Sequence, residues 1–292
     1  MITGSIVALI TPFDEDGNVS YDRLAGLVEW HISEKTDGIL VLGTTAETPT
    51  LTDEEEERIV RKVIEKAGGR VPVIAGSGSN NTQMCIEKSL KYQNMGADAL
   101  LVITPYYNKT NKEGLFRHFT AVADAVDIPV YIYNVPGRTN MSVPFDFMKR
   151  LSRHKNIAGV KEASGDMSLI AKYSTLINED FNIYSGNDDI TVPVMSMGGA
   201  GTISVLANIL PGQTHEMAMA YWNGETVKAA EMQKYYLDFI NKLFIETNPI
   251  PIKEAMNMAG MDVGGYRLPL WHMNDENKAA LADSMRTVGL LK

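Results

Sequence analysis

Cysteine is almost missing from this chain: 292 residues contain one, Cys85. A single thiol excludes an internal disulfide framework and a cysteine-based zinc site, and it suits a reducing compartment, the cytoplasm. Basic residues are in deficit, 27 against 36 acidic ones, for a net charge of −9. A chain without a basic stripe is a poor partner for nucleic acid or for an anionic membrane surface. No run approaches the ~18 apolar residues of a spanning helix. The short apolar run in MITGSIVALITPFDEDG has no basic segment ahead of it and is expected to be a strand, not a signal peptide. The five histidines (His31, His118, His154, His215 and His272) never recur at i, i+3 or i+4, so a helical metal site lacks its imidazole pair. No G-x-S-x-G elbow occurs, and Gly76-Ser77-Gly78 lacks a third glycine at position 81, which is Asn81.

What is present is ordinary in bulk, 45 % hydrophobic and 22 % charged, and informative in order. Short runs rich in Val and Ile alternate with longer stretches of helical periodicity. The runs are Ser5–Thr11, Gly38–Leu42, Val71–Ala75, Ala99–Ile103, Pro129–Tyr133, Ile157–Lys161, Asn182–Ser185 and Thr202–Val205. They are nearly continuous in apolar residues, as parallel strands buried on both faces require, and each gap has room for a crossover helix. Eight β/α units in series predict an α/β fold of the (β/α)8 TIM-barrel type, with a doubly wound open sheet as the alternative.

Helix starts are legible too. Ser20 precedes the stripe Leu24, Leu27, Val28 and Ile32, and Thr52 with Glu55 fits a capping box. The acidic run Glu54–Glu57 is expected to be a solvated first turn that complements the helix dipole. Gly198-Gly199-Ala200-Gly201 lies ahead of the last strand, where a helix stop is expected rather than a phosphate loop. From residue 223 the alternation ends. Residues 1–222 are therefore expected to form the barrel and 223–292 a helical region packed on it, interrupted at Asn248-Pro249-Ile250-Pro251 and Arg267-Leu268-Pro269.

In such a barrel the chemistry gathers at the C-terminal ends of the strands. Three features there invite attention. Lys161 closes its strand on the same face as Gly159, opposite Ala158 and Val160; if those two meet the helices, the lysine points into the barrel mouth. Burial would lower its pKa and free an amine able to attack a ketone and form a Schiff base; the plainer alternative is an ion pair with Glu162. Tyr133, one strand earlier, is placed to move protons beside such an amine, or is simply a core aromatic. Gly43-Thr44-Thr45 offers backbone N–H groups and two hydroxyls to a carboxylate, or is an ordinary turn capping a helix.

Gly43-Thr44-Thr45-Ala46-Glu47, Pro105-Tyr106-Tyr107, Tyr133-Asn134-Val135-Pro136-Gly137-Arg138-Thr139 and Val160-Lys161-Glu162 together resemble the dihydrodipicolinate synthase family. The likeness runs from Gly4-Ser5-Ile6-Val7 to Arg267-Leu268-Pro269-Leu270. It implies a lyase that condenses pyruvate with L-aspartate 4-semialdehyde in lysine and diaminopimelate biosynthesis, with no cofactor and no metal. It also implies a role for each matching residue. Lys161 carries the Schiff base, and Tyr133 shuttles protons with Thr44 and with Tyr107, which is inserted from a neighbouring subunit. Thr45 binds the pyruvate carboxylate, Arg138 binds the semialdehyde carboxylate, and Gly186 and the Ile203 carbonyl line the site. The implied assembly is a homo-oligomer with the dimer as active unit, paired into a tetramer.

Two departures from the family pattern stand out. Position 46 is Ala where glycine is usual, and a left-handed backbone there would disturb the pyruvate cradle. In lysine-inhibited members a regulatory site at the dimer interface includes the positions of Asn80 and Tyr106, which fit. Asp53 and Glu56 replace histidines and Met84 replaces a glutamate, so weak or absent feedback is expected. Other functions compatible with the Schiff-base motif are N-acetylneuraminate lyase, which lacks the arginine at position 138, and further pyruvate-dependent aldolases or hydratases. A catalytically silent barrel serving as a binding protein requires Lys161 to be unreactive.

Overall fold

The computed structural model describes residues 2–292. Its eight strands are β1 (Gly4–Ala8), β2 (Gly38–Val41), β3 (Val73–Gly76), β4 (Ala99–Ile103), β5 (Val130–Asn134), β6 (Ile157–Glu162), β7 (Asn182–Ser185) and β8 (Gly201–Ser204). They pair in sequence order, all parallel, and β1 pairs with β8 to close the barrel. The closed barrel, not the open sheet, is the fold.

Closure depends on a glycine. Gly201 has φ of 147°, and a Cβ there would stand 1.9 Å from the Gly4 carbonyl oxygen across the β8–β1 seam. Two apolar layers follow from strand alternation. Ile6, Leu40, Ile74, Leu101, Tyr131 and Tyr184 fill the barrel interior. Val7, Ile39, Val41, Leu100, Ile132 and Val160 face outward against the helices.

Several strand ends differ from the expected ones. β1 stops at Ala8 because the Ile10 N–H leaves the ladder for the Asn208 side-chain oxygen, at 3.0 Å. β3 and β5 begin one residue after Pro72 and Pro129, which have no N–H to give a neighbouring strand. β6 carries an irregularity: Val130 pairs with Ile157 but Tyr131 with Gly159, skipping Ala158. Ala158 consequently packs on the interior layer, not on the helices as alternation alone suggests. Val160 faces the helices as expected and Lys161 the interior.

The Thr52–Glu55 capping box forms in both directions, opening the helix Asp53–Ala67. The acidic run behind it is not all solvated. Glu56 is buried, because helical spacing aligns it with Ile59, Val60 and Val63 on the core face. Its oxygens lie 2.8 and 2.7 Å from the Lys88 ammonium and one accepts the Tyr92 hydroxyl at 2.6 Å. Ser20 occupies its expected N-cap position without a side-chain cap bond. Gly198, at φ of 92°, stops the helix Thr191–Ser196: the N–H groups of Gly198 and Gly199 return to the Met195 and Val194 carbonyls.

The helix Pro211–Trp222 completes the eighth unit, and Thr226–Lys242, Ile250–Met258 and Asp275–Thr287 follow it. The stretch between Met258 and Asp275 is not helical, and with the turn around Asn248 it brings the late chain to the C-terminal ends of the strands. Asn248 bonds Thr45, Lys253 bonds the Thr11 carbonyl, and Arg267 grips Glu55 through two bonds of 2.7 and 2.6 Å. No helix among the described residues is long and apolar enough to cross a membrane.

Candidate active site

β5 and β6 run side by side with Tyr133 opposite Lys161. The Lys161 ammonium nitrogen lies 4.4 Å from the centre of the Tyr133 ring, over its face. Both side chains project into the barrel mouth, where Lys161 is 6 % exposed. Burial drives the Lys161 pKa down from 10.5 to about 8, the nearby Arg138 charge acts in the same direction, and Asp188 opposes them. A lysine with that pKa is about one-tenth neutral at pH 7, against ~0.03 % for an unperturbed one. The competing partner, Glu162, is occupied elsewhere. Its oxygens accept the Asn134 amide and the Ser164 N–H, each at 2.7 Å, so the strand-end ion pair does not form.

The Tyr133 phenol is held above its ordinary pKa by burial, with Arg138 and the Thr44 hydroxyl pulling the other way. It is therefore protonated at neutral pH and able to donate. Thr44 and Thr45 open a single 3-10 turn, Thr44–Ala46, after β2. The first N–H groups of such a turn have no partner within it, which leaves donors for an anion. The Thr45 hydroxyl accepts the Asn248 side-chain amide at 2.9 Å. Ala46 is not left-handed; the left-handed residues flanking the turn are Leu42 (φ 56°) and Glu47 (φ 58°). The cradle therefore tolerates alanine at 46, and its carbonyl accepts the Thr11 hydroxyl at 2.7 Å.

Arg138 stands on the short helix Pro136–Thr139, exposed, with Nη2 on the Asn248 carbonyl at 3.1 Å. Arg138 lines a cavity, and its planar fork suits a carboxylate. Gly186 arches over the lysine. A Cβ there would meet Ala163 Cβ at 2.7 Å and Lys161 Cγ at 3.1 Å, so a side chain would push the amine aside. Ile203 lies in β8 with its side chain in the interior layer.

Thr44, Tyr133 and Arg138 line one cavity of about 390 Å³, which Asn80, Tyr106, Glu56 and Lys88 also line. Asn80 donates to the Tyr106 carbonyl at 3.2 Å. Tyr107 is not brought to this cluster. It has φ of 66° and is 92 % exposed, projecting into solvent. No group of three His, Cys, Asp or Glu residues suited to a metal ion occurs among the described residues.

Asp188 and Asn248, also at this end, belong to none of the sequence motifs that point to chemistry. Asp188, buried just beyond Gly186, accepts the Val205 and Leu206 N–H groups at 2.9 Å each through Oδ2, while Oδ1 has no partner. Burial raises its pKa, opposed by the hydrogen bonds it accepts, those from the Leu206 and Val205 N–H groups among them, and to a smaller degree by the Lys161 charge. Its signal was its place in the turn after β7. Asn248 was noticed only as part of a helix break, yet it bonds both Thr45 and Arg138.

A buried, partly neutral lysine, a protonated phenol beside it, an N–H cradle and a guanidinium with no carboxylate bonded to it can together form and use an imine of a keto acid. Residues 1–288 match the dihydrodipicolinate synthetase family. The 4-hydroxy-tetrahydrodipicolinate synthase of Thermoanaerobacter sp. (strain X514) is 53 % identical over 291 residues, which is 99 % of this chain and 97 % of that one. The crystal structure of dihydrodipicolinate synthase from Aquifex aeolicus matches with a TM-score of 0.96 and 43 % identity, over 99 % of this chain and 98 % of that one. The chloride-inhibited dihydrodipicolinate synthase from Acinetobacter baumannii, complexed with pyruvate, matches with a TM-score of 0.97 and 38 % identity over the full length of both chains.

Proposed function

The chain belongs to the dihydrodipicolinate synthetase family, and on that premise we propose that it condenses pyruvate with L-aspartate 4-semialdehyde through a Schiff base on Lys161. The product is 4-hydroxy-tetrahydrodipicolinate, on the way to diaminopimelate and lysine, and the enzyme works in the cytoplasm. The observation that carries the mechanism is the buried Lys161 amine, its pKa near 8, with no carboxylate bonded to it.

The neutral amine adds to the pyruvate ketone, and Tyr133 passes the proton that lets the carbinolamine lose water. The resulting iminium is an electron sink. Loss of a methyl proton gives an enamine, whose carbon attacks the semialdehyde carbonyl while that oxygen takes a proton. The amine carried by the semialdehyde then displaces Lys161 and closes the ring. Thr45 holds the pyruvate carboxylate with turn N–H groups, and Thr44 stands in the proton relay beside Tyr133. Arg138 takes the semialdehyde carboxylate, and Gly186 and the Ile203 carbonyl face the same substrate.

Tyr107, exposed on a loop where it serves nothing in its own subunit, reaches the Thr44–Tyr133 pair of a partner protomer. The dimer is then the active unit, and two dimers pair into a tetramer.

Arg138→Ala tests the division of labour. With a charge-assisted bidentate contact removed, kcat/KM for the semialdehyde is expected to fall by about 10²-fold or more. Imine formation with pyruvate stays close to wild type, read by borohydride trapping and mass spectrometry. Equal loss in both assays would make Arg138 a pyruvate or structural residue.

Feedback by L-lysine is weak or absent in this reading. An incoming ammonium at the Asn80–Tyr106 end meets Glu56 already saturated by Lys88 and Tyr92, and Met84 offers no charge. Titration of L-lysine into the coupled assay is expected to reach half-inhibition only at ~10 mM or above, the weak end of specific binding. Sub-millimolar inhibition would contradict it.

A further inference from the structure

Two lysines are buried at the catalytic end of the barrel, and the mechanism uses only one. Lys253, in the helix Ile250–Met258, has a side chain fully removed from solvent, as has its partner Glu47. We propose that the Glu47–Lys253 pair is a positioning device that fixes the Thr44–Ala46 turn, and with it the N–H cradle for the pyruvate carboxylate. The inference rests on the function given above.

The turn sits on a loop, and a loop is by default the mobile part of a fold. A cradle must nevertheless hold its donors to within a fraction of an ångström. Glu47 closes the turn in the left-handed conformation, with its N–H on the Thr44 carbonyl at 3.2 Å. That bend sends its carboxylate inward. Oε1 accepts the Lys253 ammonium at 2.8 Å and Oε2 accepts the Arg267 N–H at 3.2 Å. Lys253 also donates to the Thr11 carbonyl at 3.1 Å, and the Thr11 hydroxyl donates to the Ala46 carbonyl at 2.7 Å. Lys253, Thr11, Ala46 and Glu47 therefore form a closed ring of contacts around the base of the turn.

Stability alone is a poor reason for this pair, because apolar residues of the same volume usually do as well or better in a core. Orientation is a better one. A charge buried with a single anion permits few alternative arrangements, whereas apolar replacements would let the turn settle in several. The contrast with Lys161 lies in the partner: Lys161 is left without a bonded carboxylate and reacts, while Lys253 is paired with Glu47 and holds.

The test is steady-state kinetics on the full-length double variant Glu47→Gln/Lys253→Met, which removes both charges and keeps the volume. The expected result is a folded protein with a wild-type-like circular dichroism spectrum and a pyruvate KM raised about tenfold or more, as small displacements at a site produce. The semialdehyde KM should stay within about twofold. A folded double variant with unchanged pyruvate KM overturns the proposal. If the double variant does not fold, Glu47→Asp, which keeps the charge but withdraws it by one methylene, must show the same split between the two KM values; no split overturns the proposal. Borohydride trapping on the wild type separates the two levels. Without a pyruvate adduct on Lys161 the function itself fails, whereas an adduct with no KM split removes only the role of the pair.

Discussion

Lys161→Ala is expected to leave no borohydride-trappable pyruvate adduct and to lower turnover by at least ~10⁴-fold, the scale on which removal of a covalent nucleophile acts. Lys161→Arg should be equally inert, since a guanidinium keeps its proton and cannot act as an amine nucleophile. Misfolding is excluded by the thermal melt of Lys161→Met, which fills the same space without charge. The sign follows from the pKa, lowered from 10.5 to about 8 in the folded protein. The unfolded chain holds that proton more tightly, so burying the ammonium costs stability in full below about pH 8. The cost fades as pH rises toward 10.5. At pH 7 the methionine variant should therefore melt at or above the wild type while having no activity. Wild-type-like turnover in any of these variants contradicts the mechanism.

Tyr133→Phe carries the second-largest expected effect. It removes the hydroxyl that moves the proton and leaves the ring beneath the Lys161 nitrogen. The expected loss in kcat is ~10²–10⁴-fold, the range of general acid–base catalysis. KM for pyruvate should change little, because the cradle at Thr44 and Thr45 is untouched. Pre-steady-state trapping should show imine formation slowed by a similar factor. A variant with near-normal kcat would reduce Tyr133 to a packing residue of the interior layer.

The barrel was readable because parallel strands buried on both faces leave uninterrupted apolar runs, and eight of them were present. Their ends were less readable where a side chain took a backbone bond, as Asn208 does from Ile10, or where a proline removed one. The skipped residue in β6 left no mark in the sequence, since Ala158 is small enough for either layer. Lys161, Tyr133 and the Gly43-Thr44-Thr45 turn were legible as strand ends, but their meaning came from the motif as a whole. Alanine at position 46 brings no backbone strain, because the left-handed residue is its neighbour Glu47. Glu56 was misread as solvated because a charge run hides which member faces inward. The roles of Asn248 and of the Glu47–Lys253 pair leave no mark in the sequence for a different reason. Their partners lie far away in sequence, up to 206 residues in the case of the ion pair, and local pattern carries no information about such closures.

The most direct measurement is borohydride reduction of the wild-type protein with pyruvate between pH 6 and pH 10, followed by peptide mass spectrometry. The account predicts a single adduct on Lys161. Its initial rate of formation should rise about tenfold per pH unit on the acid side and level off above about pH 8, as the neutral amine becomes the dominant form. An adduct on another lysine, or none at any pH, would contradict it.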